Sequence, residues 1–239
     1  PTARATPAPI VSTSTPPPPS PPAELPAAPL LAPAEEARFD AVVEGAITRG
    51  EVPGAALAVV RGGRVVLRKA YGLREKEPAA LPMTADAIFD LASLTKPLAT
   101  ACSVLLLAER KKLRLSDPVA RYLPDFKGEG KERVTVEDLL LHVSGLPAVD
   151  PISDYAEGKE RALGRIAQMR LAHPPGTAFV YSDLGYVLLG EIVARISGEP
   201  LDVFARKNLF EPLGMGDTGF RPSASDKART VPTERAEGR

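Results

Sequence analysis

Three features of this 239-residue sequence predict an α/β (α+β) chain, with an antiparallel sheet flanked by helices and a helical subdomain after the first strands. Two β-branched runs are separated by glycines, stretches of helical period lie before and after them, and the opening is proline-rich with no apolar face. Thirty basic and thirty acidic side chains cancel, which removes bulk attraction to nucleic acid or an anionic membrane surface. An apolar content of 44% is enough for a core. No apolar run approaches the roughly 18 residues of a membrane span. The single cysteine, Cys102, cannot form an intramolecular disulfide, and no Cys/His cluster suggests a structural metal.

The elements follow in order. Twelve of the 26 prolines fall in residues 1–33, so this stretch is read as an extended, solvated tether that cannot offset its ordering entropy by burial. Residues 34–239 are read as the folded domain. A tether behind a cleaved signal or a lipid anchor fits an exported, periplasmic or cell-envelope protein, and a linker from an upstream domain fits equally well. Residues 34–49 carry Phe39, Val42, Val43, Ala46 and Ile47 at helical spacing, with Glu35 and Glu36 in the first turn, and Gly50 and Pro53 end the helix. The runs 55–60 and 64–71, joined by Arg61-Gly62-Gly63, read as a tight β-hairpin. Residues 93–112 read as one strong helix, with Leu94, Leu98, Ala101, Leu105 and Ala108 as its apolar stripe. Pro97 fits the first turn, where no amide donor is needed, and Ser93 sits near the N-cap. Cys102 is expected to be a small buried residue. Helices follow at 135–141, 157–171, 183–196 and 201–209. A hairpin alone is marginal and nothing after Phe220 reads as a strand, so the sheet is expected to lack later strands and the chain to be C-terminally incomplete.

The leading chemical candidate is Ser93-Leu94-Thr95-Lys96. Residues i and i+3 of a helix share a face, so the Lys96 amine can reach the Ser93 oxygen. A serine hydroxyl needs a base to become a nucleophile, and amides at a helix N-terminus can stabilise an oxyanion. Spacing alone is weak, because about one Ser-x-x-Lys is expected by chance in a chain of this length. Gly62-Gly63 reads as a turn rather than a phosphate cradle, since no helix follows it. His142 reads as a structural residue in a turn, His173 as a loop histidine, and Lys111-Lys112 as a solvated helix end.

Four segments in order, the motif's own included, change its weight. Phe89-Asp90-Leu91-Ala92-Ser93-Leu94-Thr95-Lys96-Pro97 resembles the nucleophile segment of the serine β-lactamase and penicillin-binding-protein superfamily, with class C β-lactamases, family VIII esterases and DD-peptidase-like hydrolases most alike. Leu139-Leu140-Leu141-His142-Val143-Ser144-Gly145-Leu146-Pro147 resembles that group's LLxHTSGL segment. Pro174-Pro175-Gly176-Thr177-Ala178-Phe179-Val180-Tyr181-Ser182-Asp183-Leu184-Gly185-Tyr186 resembles its PPGxxFxYSN segment. Leu209-Phe210-Glu211-Pro212-Leu213-Gly214-Met215 and the hairpin also fit, so the likeness covers about residues 34–235.

The resemblance implies a β-lactamase/transpeptidase-like fold and a serine hydrolase working through an acyl-enzyme, with no metal or organic cofactor. Ser93 would be the acylated nucleophile and half of the oxyanion hole through its backbone amide. Lys96 would be its proton partner. Tyr181 would be the general base for acylation and the proton donor to the leaving group. Asp183 stands where asparagine is commoner. A carboxylate there can only accept, and it would hold Lys96 protonated, leaving a Tyr181 phenolate as base. The implied substrate is a small ester, a β-lactam or a D-alanyl (peptidoglycan-type) peptide, with no nucleic-acid partner. The family's third motif, KTG or His-x-Gly, does not occur after Asp183, so this chain is expected to carry the nucleophile half of a site. The competing expectation is a non-catalytic binding or scaffold domain of the same fold, or an inactive fragment of the enzyme.

Overall fold

In a computed structural model of the chain, residues 31–148 and 156–233 are described. The stretch read as a tether lies almost wholly outside them. The chain divides into two compact units, one ending at Ala85 and the other beginning at Asp86.

The first unit is a helix on a small antiparallel sheet. Helix α1 runs Pro33–Thr48, with Glu35 and Glu36 in its first turn. Strands β1 (Gly54–Arg61) and β2 (Arg64–Glu75) form the hairpin, in register from Gly54 opposite Gly72 to Arg61 opposite Arg64, with an irregularity between Val59 and Val60. Gly62 and Gly63 both take positive φ, 55° and 74°, as a two-residue hairpin turn requires. The short strand β3 (Leu81–Pro82), which periodicity did not predict, pairs with the far edge of β2. Helix α1 is tied to the sheet by charge as much as by apolar burial. Lys69 donates to Glu36 at 2.7 Å and to Asp40 at 2.9 Å, and the Tyr71 hydroxyl donates to Asp40 at 2.7 Å. Phe39 and Val42, two of the apolar residues at helical spacing, are exposed.

The second unit holds the main core. Helices α2 (Cys102–Glu109), α3 (Val136–Leu140), α4 (Lys159–Gln168), α5 (Asp183–Ser197) and α6 (Leu201–Ala205) follow in order. Val104, Leu107, Leu139, Ile166, Leu188, Leu189 and Ile192 fill the space among them. Helix α5 supplies more of it than any other helix: Leu184, Leu188, Leu189, Ile192 and Val193 recur at helical spacing and are all buried. Gly198, at φ 75°, ends it in the left-handed region. A four-residue helix, α7 (Ala224–Lys227), precedes a parallel bridge between Ile88 and Thr230. That bridge ties the residue before Phe89 to the chain's polar closing stretch, where no element was expected.

Residues 93–112 depart from the single helix their pattern predicts. A 3-10 turn covers Ala92–Leu94, a π-helical stretch covers Lys96–Ala101, and only then does α2 begin. Pro97 has no N–H to give to the Ser93 carbonyl, so regular i→i−4 bonding cannot start there. Ser93 therefore lies inside a 3-10 turn rather than at a helix N-cap. The buried stripe is also not the predicted one. Leu94 (55%), Leu98 (41%) and Leu105 (50%) are exposed, whereas Ala99, Thr100, Ser103, Val104 and Leu107 face the core. The stretch is apolar all round, so its periodicity could not choose a face. Cys102 lies on the outer side and is exposed, contrary to expectation. Among the described residues, no helix is long and apolar enough to cross a membrane.

Candidate active site

Each side of the site is set by local sequence. On the nucleophile side, Asp90 Oδ1 accepts the Ala92 N–H at 2.8 Å, and Ala92 takes φ 44°, a region that costs an L-residue with a side chain about 1 kcal/mol or more. The strained residue immediately precedes Ser93. Nothing in an alanine could announce it. From this turn, Lys96 donates to Ser93 Oγ at 3.2 Å.

On the opposite side, two caps aim the residues. Thr135 and Asp138 form a reciprocal capping box at the start of α3, with Thr135 Oγ1 accepting the Asp138 N–H at 3.1 Å and Asp138 Oδ2 accepting the Thr135 N–H at 2.9 Å. The helix thus delivered ends in the turn at His142, whose φ is 58°. Gly145 then takes φ 82°, and a Cβ there would lie 2.1 Å from the His173 carbonyl oxygen, so only glycine lets the two loops meet. Ser182 N-caps α5. Its Oγ accepts the Gly185 N–H at 3.3 Å and donates to the Pro147 carbonyl at 2.6 Å. The Asp183 N–H donates to the Ala148 carbonyl at 2.8 Å. Tyr181 and Asp183 are thereby held on either side of a buried capping serine.

These two constructions converge. Lys96 Nζ lies 2.5 Å from Asp183 Oδ1, an ion pair. The same ammonium sits 4.9 Å from the Tyr181 ring centre and 5.8 Å from that of Tyr186. Burial works against the Lys96 charge, but the Asp183 carboxylate, followed by Tyr181, outweighs it and raises the amine above its ordinary range. Hydrogen bonding from Ser93, then from Lys96, holds the Tyr181 phenol below its ordinary range. All four residues singled out from sequence, Ser93, Lys96, Tyr181 and Asp183, therefore meet within one cluster. Its walls are half-open, with Tyr181 44% exposed.

Two members were given no role in the site from sequence. His142 packs against Tyr181 at 4.5 Å and Tyr186 at 5.0 Å between ring centres, and its Nδ1 accepts the Ser182 N–H at 3.0 Å. Tyr186 donates to the Leu140 carbonyl at 3.1 Å. Its position one turn after Ser182 was the available signal, since i and i+4 share a helix face. Among the described residues, no group of three or more His, Cys, Asp or Glu side chains is placed to hold a metal ion.

A family model described as Beta-lactamase matches residues 39–239. The N-acetylmuramyl-L-alanine amidase of Bacillus subtilis (strain 168) is 35% identical over 204 residues, covering 77% of this chain and 46% of that protein. Esterase EstB of Burkholderia gladioli is 38% identical over 215 residues, covering 82% and 54%. The solved structure of a class C β-lactamase superposes with a TM-score of 0.73 at 26% identity, over 82% of this chain and 53% of the other. The chain thus spans about half the length of the curated relatives it matches.

Proposed function

For a chain that belongs to the Beta-lactamase family, we propose the role of the nucleophile-bearing part of a serine hydrolase, working through an acyl-enzyme on Ser93. The observation that carries this reading is the contact of one ammonium, Lys96, with both the Ser93 hydroxyl and the Asp183 carboxylate, beside a phenol of lowered pKa. Lys96 donates to Ser93 Oγ and is held cationic, so it is a poor proton acceptor. The Tyr181 phenolate takes that role.

In the acylation step the proton of Ser93 Oγ passes to the Tyr181 oxygen. The Oγ electron pair forms a bond to the substrate carbonyl carbon, and the carbonyl π pair moves to oxygen. The Ser93 N–H supplies one donor to that oxyanion. When the π bond re-forms, the bond to the alcohol or amine breaks and the leaving group takes the proton from Tyr181. Water then repeats the sequence against the acyl-enzyme. The substrate class is a small ester, a β-lactam or a D-alanyl peptide. The similar esterase and the similar muramyl-alanine amidase support an ester and an amide respectively. The second of these also supports a cell-envelope setting, which fractionation of cells producing the protein checks.

The test is labelling with a fluorophosphonate and with a fluorescent penicillin, followed by peptide mass spectrometry. Adduct on Ser93, abolished in Ser93→Ala, is the expected result. A folded protein that takes no label at Ser93 from either probe overturns the hydrolase reading and leaves a non-catalytic domain of the same fold.

A further inference from the structure

Tyr181 is bracketed by a single residue. The Val180 N–H donates to the His142 carbonyl at 2.9 Å, and the Ser182 N–H donates to His142 Nδ1 at 3.0 Å. The hydrogen bonds on both sides of Tyr181 thus end on one residue, whose ring also lies against the Tyr181 ring at a 32° tilt. His142 itself is held at φ 58°, where a residue with a large side chain is uncommon. Phe179 meets the imidazole edge-on at 5.9 Å, and Tyr186 stacks on it at 28°.

We propose that His142, neutral and carrying its proton on Nε2, is the positioning residue for Tyr181, and that its protonation releases the Tyr181-Ser182 stretch and slows acylation of Ser93. This rests on the hydrolase reading for its kinetic consequence and on geometry alone for the clamp. An N–H can be accepted only by an unprotonated Nδ1. Once Nδ1 carries a proton, two donors face each other, and the bond to Ser182 is lost. The new cation would also stand among Lys96 of the π-helical stretch, Asp183 and Tyr186 of α5, and Tyr181 of the loop before it. Burial, followed by the Lys96 charge, lowers the His142 pKa below 6.5, and Asp183 opposes this. The clamp is therefore intact at neutral pH and opens only in acid.

Two variants separate the parts of the clamp. His142→Asn tolerates the left-handed backbone and keeps an acceptor, but cannot titrate. His142→Phe keeps a ring and removes the acceptor. The first measurement is the pH titration of the Ser182 amide resonance in 15N-labelled full chain. It is expected to move with the His142 ring resonances at a midpoint below 6.5, and to lose that transition in His142→Asn. The second is the rate of Ser93 labelling by a fluorophosphonate. His142→Phe is expected to lower it about 10- to 100-fold at pH 8. His142→Asn is expected to restore most of that loss and to remove one proton from the acid limb. A Ser182 amide that ignores the His142 titration overturns the clamp, as does an acid limb unchanged in His142→Asn. If Ser182 follows His142 and yet Ser93 takes no label at any pH, the clamp stands and the hydrolase reading falls.

Discussion

The nucleophile segment and the segment opposite it are held by different means. Ser93 and Lys96 lie on a 3-10 turn followed by a π-helical stretch, next to an alanine at φ 44° and with exposed leucines on the outer face. Tyr181 and Asp183 flank a buried serine cap at the head of α5, a helix with six fully or nearly fully buried residues. The Ser93 side is under local strain, and the Tyr181 side is anchored in the core. In the proposed reaction the first needs an exposed oxygen, whereas the second needs a fixed distance. The two demands select opposite kinds of local structure.

The largest expected break in this pairing comes from Tyr181→Phe. Removing the phenol is expected to lower Ser93 labelling by roughly 10²- to 10⁴-fold, the usual range for a general base, with the melting temperature little changed. Next is the core beneath the partner side. Leu107→Ala, at a buried position, is expected to cost about 2–5 kcal/mol, read as a fall of several degrees in Tm. Leu105→Ala, two residues away on the exposed face, is expected to stay within about 0.5 kcal/mol. Equal losses at the two sites would reverse the assignment of faces on α2.

A finer probe is Asp183→Asn. Acylation is expected to rise with pH as the Tyr181 phenol ionises and to fall as Lys96 loses its proton. Asp183 is the leading influence raising the Lys96 pKa, and burial opposes it. Removing the carboxylate therefore lowers that pKa, and the alkaline limb of the pH–rate profile is expected to move to lower pH. An unmoved profile would mean that Lys96 does not depend on Asp183 for its charge. The smallest effect is expected from Ala92→Gly, which relieves the positive φ before Ser93. It is expected to raise stability by about 1 kcal/mol or less, seen as a small upward shift of Tm.

Ser93 and Lys96 were legible as candidates from their spacing one turn apart, whereas Tyr181 and Asp183 were legible only through the resemblance of their segment to PPGxxFxYSN. The hairpin was legible because Gly62 and Gly63 state the turn outright. His142 was not, since a lone histidine in a turn gives no sign of what its ring will touch. Nor could Leu94, Leu98 and Leu105 be recognised as outward-facing. Their spacing is as helical as that of Ala99, Ser103 and Leu107, and only the partners available in space distinguish the two stripes.

Sequence alone determined where the hairpin turns and which helices form, because each of those depends on residues a few positions apart, and the resemblance pointed to the four candidate side chains. Tertiary structure decided which face of α2 is buried and that His142 grips both sides of Tyr181. The two His142 bonds join residues 38 and 40 positions apart, and local pattern carries no record of such contacts.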